Sequence, residues 1–315
     1  MKDLIILTGP TAVGKTALSI NLAKAVNGEI ISADSMQVYK HMDIGTAKVT
    51  KEEMDGVKHY LIDAIEPTED FHVVRFKEMV EEAMAEIYRK GKIPIICGGT
   101  GFYIQAILYD IQFAEQEIDY TYRHELEDFA EEKGNEALHD KLKKIDPESA
   151  EAIPAANRKR VVRALEYFHQ TGEKFSVHNA REKERKSPYN FAYFVLNDDR
   201  KLLYNRIDKR VDIMMSTGLV DEVKALLEMG CKPGMTSMDG IGYKEMLTYL
   251  SGESSLEDAV GLIKKNSRNY AKRQLTWFRR EDEVVWLDKT ILKSDEDILD
   301  SILKTLKEKG IIKSV

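Results

Sequence analysis

The chain has 315 residues, 43% of them hydrophobic and 32% charged, with a formal net charge of −7. That length allows about two domains of ordinary size, and no run reaches the ~18 consecutive apolar residues of a membrane-spanning helix. No long apolar segment with a cleavage site precedes Leu4, so no secretory leader is expected. Cys97 and Cys231 lie far apart and match no paired metal-ligand spacing. They read as free thiols of a reducing compartment, and a cytoplasmic location is expected.

In chain order, "DLIILTG" is a short apolar run, the mark of a buried parallel strand. It leads into "GPTAVGKT", residues 9–16, which fits the phosphate-loop pattern G-x-x-x-x-G-K-[ST]. Gly9, Pro10, Thr11, Ala12, Val13 and Gly14 would curl backbone N–H groups around phosphate oxygens, at the positive end of the helix that follows. Lys15 adds a point charge, and the Thr16 hydroxyl can ligate Mg²⁺. "KTALSINLAKAV" has helical period, "GEIISAD" is a second strand ending on Asp34, and "HYLIDAI" reads as a third. "FKEMVEEAMAEIYRKG" is a helix and "KIPIICGG" a fourth strand. Alternating strands and helices predict an α/β fold with a P-loop NTPase-like parallel sheet.

After about Phe113 the pattern changes to short charged helices, so residues 114–189 are expected to form a helical insertion domain in a core of 1–113 and 190–315. "FAYFVLN" returns to the sheet. Helices are expected near 199–216, 219–229 and 256–280, with "EVVWLD" as a last strand. The apolar positions from Met215 to Leu226 recur with helical period and are expected in the core. The seven histidines form no i,i+4 ligand pair, so no protein-held metal site is expected.

The loop specifies phosphate without saying what carries it. ATPases and GTPases add a strand-end Asp for Mg²⁺, whereas "KIPIICGGTG" ends in Cys97 and glycines. Asp34 is the acid nearest the loop, with Ser35 and Gln37 beside it, a polar set suited to a planar base edge. Thr100 in "GGTG" supplies a hydroxyl at another strand end. From Lys264 to Glu281, "KKNSRNYAKRQLTWFRRE" carries seven Lys or Arg and one acid, against the acidic average. Helical spacing places Lys265, Arg268, Lys272 and Arg279 on one face, with Tyr270 and Trp277 on another. A basic stripe with an apolar back suits a phosphate backbone.

"GPTAVGKT", "ADSMQVYKHMDIGTAK", "GGTGFY", "RVDIMMSTGLVDEV", "GIGYKE" and "AKRQLTWFRR" occur in the order seen in bacterial tRNA dimethylallyltransferases, which the chain resembles over nearly its whole length. Departures are mild, such as Phe102 where Leu is commoner and Val49 where Pro is expected. The resemblance implies transfer of a dimethylallyl group from dimethylallyl diphosphate to N6 of the tRNA adenosine just 3′ of the anticodon, with Mg²⁺. It implies that Lys15, the loop amides and Arg210 hold the diphosphate, that Asp34 takes the amine proton, and that Thr100 assists. It also implies tRNA contacts at Asp34, Ser35, Met36, Gln37, Thr100, Arg123, Lys159, Arg160, Val161, Val162 and Arg163. Further contacts are implied at Gly242, Tyr243, Lys244, Lys272, Arg273, Gln274, Trp277 and Arg279. No membrane partner is expected, and a monomer is. An adenylate isopentenyltransferase or a P-loop small-molecule kinase shares part of the pattern. The former has no need of the insertion and basic helix, and the latter leaves "DSMQVY" and "AKRQLTWFRR" unexplained.

Overall fold

The structure is a computed structural model that describes residues 1–113 and 120–313. From the N-terminus it runs β1 (Lys2–Thr8), α1 (Lys15–Val26), β2 (Gly28–Ala33), α2 (Lys51–Met54), β3 (His59–Tyr60), α3 (Val73–Arg89), β4 (Ile93–Gly98) and α4 (Gly101–Leu108). Five helices follow: α5 (Tyr120–Lys133), α6 (Asn135–Ile145), α7 (Pro147–Ala152), α8 (Arg158–Thr171) and α9 (Phe175–Lys183). The chain then forms β5 (Tyr189–Asn197), α10 (Arg200–Ser216), α11 (Leu219–Glu228), α12 (Tyr243–Leu250), α13 (Leu256–Phe278), β6 (Val284–Asp288) and α14 (Asp295–Glu308). Met1–Leu108 with Pro188–Val315 make one compact unit and Tyr109–Ser187 another.

The first unit is built on a six-stranded sheet in the order β3-β2-β4-β1-β5-β6, every pairing parallel. Leu4 to Leu7 are fully buried, as an apolar run without alternation requires of a strand covered on both faces. Leu18 and Leu22 of α1 and Ile298, Ile302 and Leu306 of α14 join Ile5 and Leu7 in one core cluster. Thr8 and Ala33 both pair with Gly98, so β1, β2 and β4 end level with one another. Their three following loops therefore open at the carboxyl end of the sheet, the end where open α/β sheets bind ligands.

The expected third strand is much shorter than "HYLIDAI" suggests. Leu61 and Asp63 take left-handed backbone, at φ 59° and 50°, which breaks the ladder after Tyr60. Beyond it only the bridge between Tyr39 and Ile65 continues the pairing. Met215 is only partly buried, while Leu219, Val223 and Leu226 are in the core.

The second unit packs Leu126, Leu138, Leu142, Val161, Val162 and Leu165 into its own core. Buried Asp146 fastens two of its helices, accepting from Ser149 N–H at 3.2 Å and from Ser176 N–H and Oγ at 2.8 and 2.7 Å. Among the described residues no helix is long and apolar enough to cross a membrane.

Candidate active site

The phosphate loop joins β1 to α1 through a left-handed residue at Ala12, φ 63°, and another at Gly14, φ 100°. The Ala12 strain is supported by Arg206, whose Nε donates to the Ala12 carbonyl at 3.1 Å. Lys15 is drawn inward. Its Nζ donates to the carbonyls of Gly9 and Pro10, both at 2.9 Å. Burial, the main cause, together with the Arg210 charge lowers its pKa to about 8, against the pull of Cys97 and Asp34. Thr16 is exposed on the first turn of α1. Cys97 is raised by burial, against Lys15 and a hydrogen bond from Ser19, so it stays a neutral thiol beside the ammonium.

Asp34 follows β2 directly. Its Oδ1 accepts from Met36 N–H at 2.9 Å, a local turn that fixes the carboxylate. The "GGTG" loop is tied to the same strand end, since Thr100 N–H donates to the Ala33 carbonyl at 3.2 Å. Arg210 projects from α10 into this set. Burial lowers its pKa, while the nearby charges of Asp34 and Glu53 raise it. It makes no direct ion pair among the described residues. Lys15, Asp34, Thr100 and Arg210 thus come together at the carboxyl end of the sheet from four separate segments. Ser35 and Gln37 lie beside Asp34, half-buried.

Tyr270 is the site residue that sequence reasoning missed. Its hydroxyl hydrogen-bonds with Thr100 and Gln274 and lies within the field of Asp34. Burial first, then Asp34, raise its pKa to about 12. Helical spacing marks only an apolar face at this position and cannot say that the ring's polar tip reaches the strand-end loops.

Several expected RNA contacts are turned elsewhere. Gln274 is buried, with Oε1 accepting from Thr11 N–H at 2.9 Å and Nε2 donating to the Gly99 carbonyl at 3.0 Å. It clamps the phosphate loop to the "GGTG" loop and has no amide face left for RNA. Trp277 packs against Gly101, whose missing Cβ leaves room for the indole, and its Nε1 is buried without a partner among the described residues. Arg268 leaves the basic stripe to pair with Asp208, and Lys264 pairs with Asp212 at 2.6 Å. The solvent-facing cations of this segment are Lys265, Lys272, Arg273, Arg279 and Arg280.

Tyr243 is buried and its hydroxyl donates to Glu222 at 2.6 Å, while Gly242 N–H caps α12 by donating to Glu245 at 2.8 Å. Met36 packs against Gly240, and Lys244 is exposed. In the helical unit, Val161 and Val162 are core residues rather than surface. Arg123 is held by Glu166 through two bonds of 2.7 and 2.8 Å, a fork-to-fork pair from Nε and Nη2 to the two carboxylate oxygens. On the same unit Lys159 and Arg160 are exposed and Arg163 half-buried. Among the described residues no group of three His, Cys, Asp or Glu side chains is placed to hold a metal ion.

The sequence pattern of the family described as IPP transferase matches residues 37–281. The chain is 59% identical over 313 residues to the tRNA dimethylallyltransferase of Lachnoclostridium phytofermentans, covering 99% of this chain and 100% of that protein. It is 50% identical to that of Acetivibrio thermocellus, covering 99% of each. The full-length tRNA isopentenylpyrophosphate transferase of Bacillus halodurans superposes with a TM-score of 0.74 at 46% identity, covering 98% of each chain. A eukaryotic dimethylallyltransferase solved acting on tRNA gives a TM-score of 0.80 at 30% identity, covering 100% of this chain and 81% of that one.

Proposed function

The chain belongs to the IPP transferase family of tRNA dimethylallyltransferases, and from that premise we propose that it moves a dimethylallyl group from dimethylallyl diphosphate to N6 of a tRNA adenosine. The adenosine is the one just 3′ of the anticodon, and diphosphate is released. The observation that supports this reading best is the joint placement of Lys15, Asp34, Thr100 and Arg210 at the carboxyl end of the sheet, beside a phosphate loop whose neighbouring strand β4 ends in Cys97 and Gly98 instead of an acid.

The loop amides, Lys15 and Arg210 bind the diphosphate and stabilise its charge as it leaves. Lys15 exchanges the carbonyls of Gly9 and Pro10 for phosphate oxygens. As the C1–O bond to diphosphate breaks, the N6–C1 bond forms and the N6 proton passes to Asp34. With Oδ1 taken by Met36 N–H, Oδ2 is the oxygen left for the amine. Thr100, braced by Tyr270, positions the base. A target base must leave its stack to reach such a pocket. The exposed Thr16 hydroxyl is the protein group that would hold a Mg²⁺ brought with the diphosphate, and the ion would there supply charge neutralisation for the leaving group. Lys265, Lys272, Arg273, Arg279 and Lys244, with Lys159, Arg160 and Arg163 of the helical unit, supply the cations for RNA phosphates.

Labelled dimethylallyl diphosphate with Mg²⁺ and unmodified tRNA, AMP or ATP tests the reading. Label is expected in tRNA alone, and Asp34→Ala is expected to lose transfer while keeping tRNA binding. Label in AMP or ATP, or undiminished turnover by Asp34→Ala, refutes it.

A further inference from the structure

Glu222 on α11 holds one loop with all of its hydrogen-bonding capacity. Its Oε2 accepts from the N–H groups of Asp43 and Ile44 at 2.8 and 2.7 Å. Its Oε1 accepts from Gly45 N–H at 3.0 Å and from the Tyr243 hydroxyl at 2.6 Å. Three successive amides converging on one anion form a nest, and here the anion belongs to the protein. The approach is close enough that a Cβ on Gly45 would stand 2.5 Å from the Tyr243 ring.

The held loop reaches the acceptor side of the site. Its next two carbonyls, of Thr46 and Ala47, accept from Gln37 Nε2 at 3.3 and 3.5 Å. With its nitrogen so engaged, Gln37 has its Oε1 without a partner among the described residues. Gln37 stands three residues after Asp34, in the turn that Met36 N–H closes on the Asp34 carboxylate. A side-chain amide fixed this way can only accept, which suits an exocyclic amine and rejects a carbonyl at the same place.

We propose that Glu222 is a positioning residue of the acceptor pocket, holding Asp43–Gly45 so that Gln37 is locked with its oxygen toward the base. The inference rests on the transferase reading above. Glu222 makes no hydrogen bond to the phosphate loop, so its effect belongs to the acceptor and not to the donor.

Glu222→Gln keeps the size of the side chain but turns an NH₂ toward N–H donors. In the full-length protein this variant is expected to lower kcat for transfer to an anticodon stem-loop by about tenfold to a hundredfold, as misplacement of a reacting group does. The KM for dimethylallyl diphosphate should stay within about twofold, and amide exchange should quicken at residues 42–47 but not at 9–16. Tyr243→Phe, which removes one of the four bonds, should show the same split to a smaller degree, and Glu222→Asp should recover part of the rate. Unchanged kcat, or a donor KM that rises with the loss of rate, overturns the proposal, as does unaltered exchange at 42–47. If Glu222→Gln fails to fold, Tyr243→Phe decides by the same readouts. A wild-type protein that labels no RNA removes the transferase reading itself, whereas labelling by the wild type with an indifferent Glu222→Gln removes only the role of Glu222.

Discussion

Lys15 satisfies its ammonium on its own loop before any ligand arrives, at 2.9 Å from each of two carbonyls. Burial and Arg210 bring its pKa down to about 8, so part of its charge is lost within the accessible pH range. A bound diphosphate favours the ammonium and raises that pKa, so binding takes up a proton above pH 8 and none below it. Affinity for a diphosphate is therefore expected to be set by the ligand alone below pH 8 and to fall by up to tenfold per unit above it. Lys15→Arg stays charged throughout and should lack that added fall. Calorimetric titration of both proteins between pH 6.5 and 9.5 gives the comparison, and parallel profiles would exclude Lys15 as the titrating group. At this scale the positions of Lys15 and Asp34 are legible in the sequence, because both sit in short patterns whose local geometry is nearly fixed by glycines and strand ends. Tyr270 was not legible, since its partners Thr100 and Gln274 include one far away along the chain.

Among the elements, α13 has to serve two surfaces. One side is studded with solvent-facing cations, and the other inserts Gln274 between the phosphate loop and the "GGTG" loop. Replacing Gln274 with Leu strands the Thr11 N–H and the Gly99 carbonyl, at about 1–3 kcal/mol for each group left unpaired. The variant should melt several degrees lower and show a raised donor KM, with stem-loop binding close to wild type. A gel-shift titration beside a thermal melt checks both, and a selective loss of RNA binding would return Gln274 to the RNA face. Helical periodicity located α13 within two residues of its observed end. It could not divide Arg268 from Lys272, because the division depends on Asp208 of α10, which no local pattern announces. The strands were readable for the opposite reason: a buried parallel strand announces itself as an apolar run ending in a loop. β3 failed that test at the sheet margin, where left-handed residues cut it to two.

Across the whole molecule, a net charge of −7 means that attraction for RNA must be local and short-ranged. If about half of the eight cations assigned to RNA each neutralise a phosphate, about four in all, the log–log salt slope is near −3, or roughly a 60-fold loss of affinity for a fourfold rise in salt. Fluorescence anisotropy with a labelled stem-loop measures that slope, and a flat response would deny the basic face its role. The "GGTG" loop carries a last consequence, for descent rather than for binding. The space a side chain would need at Gly98, Gly99 and Gly101 is filled by Ala33, Gln274 and Trp277 respectively. Gly99 and Gln274 are 175 residues apart, yet a side chain at residue 99 would displace the Gln274 amide from its bond to the Gly99 carbonyl. In any lineage that keeps this packing, residues 99 and 101 should drift only together with residues 274 and 277. Two distant stretches of the gene are thereby bound to a common history by the room one loop leaves for one helix.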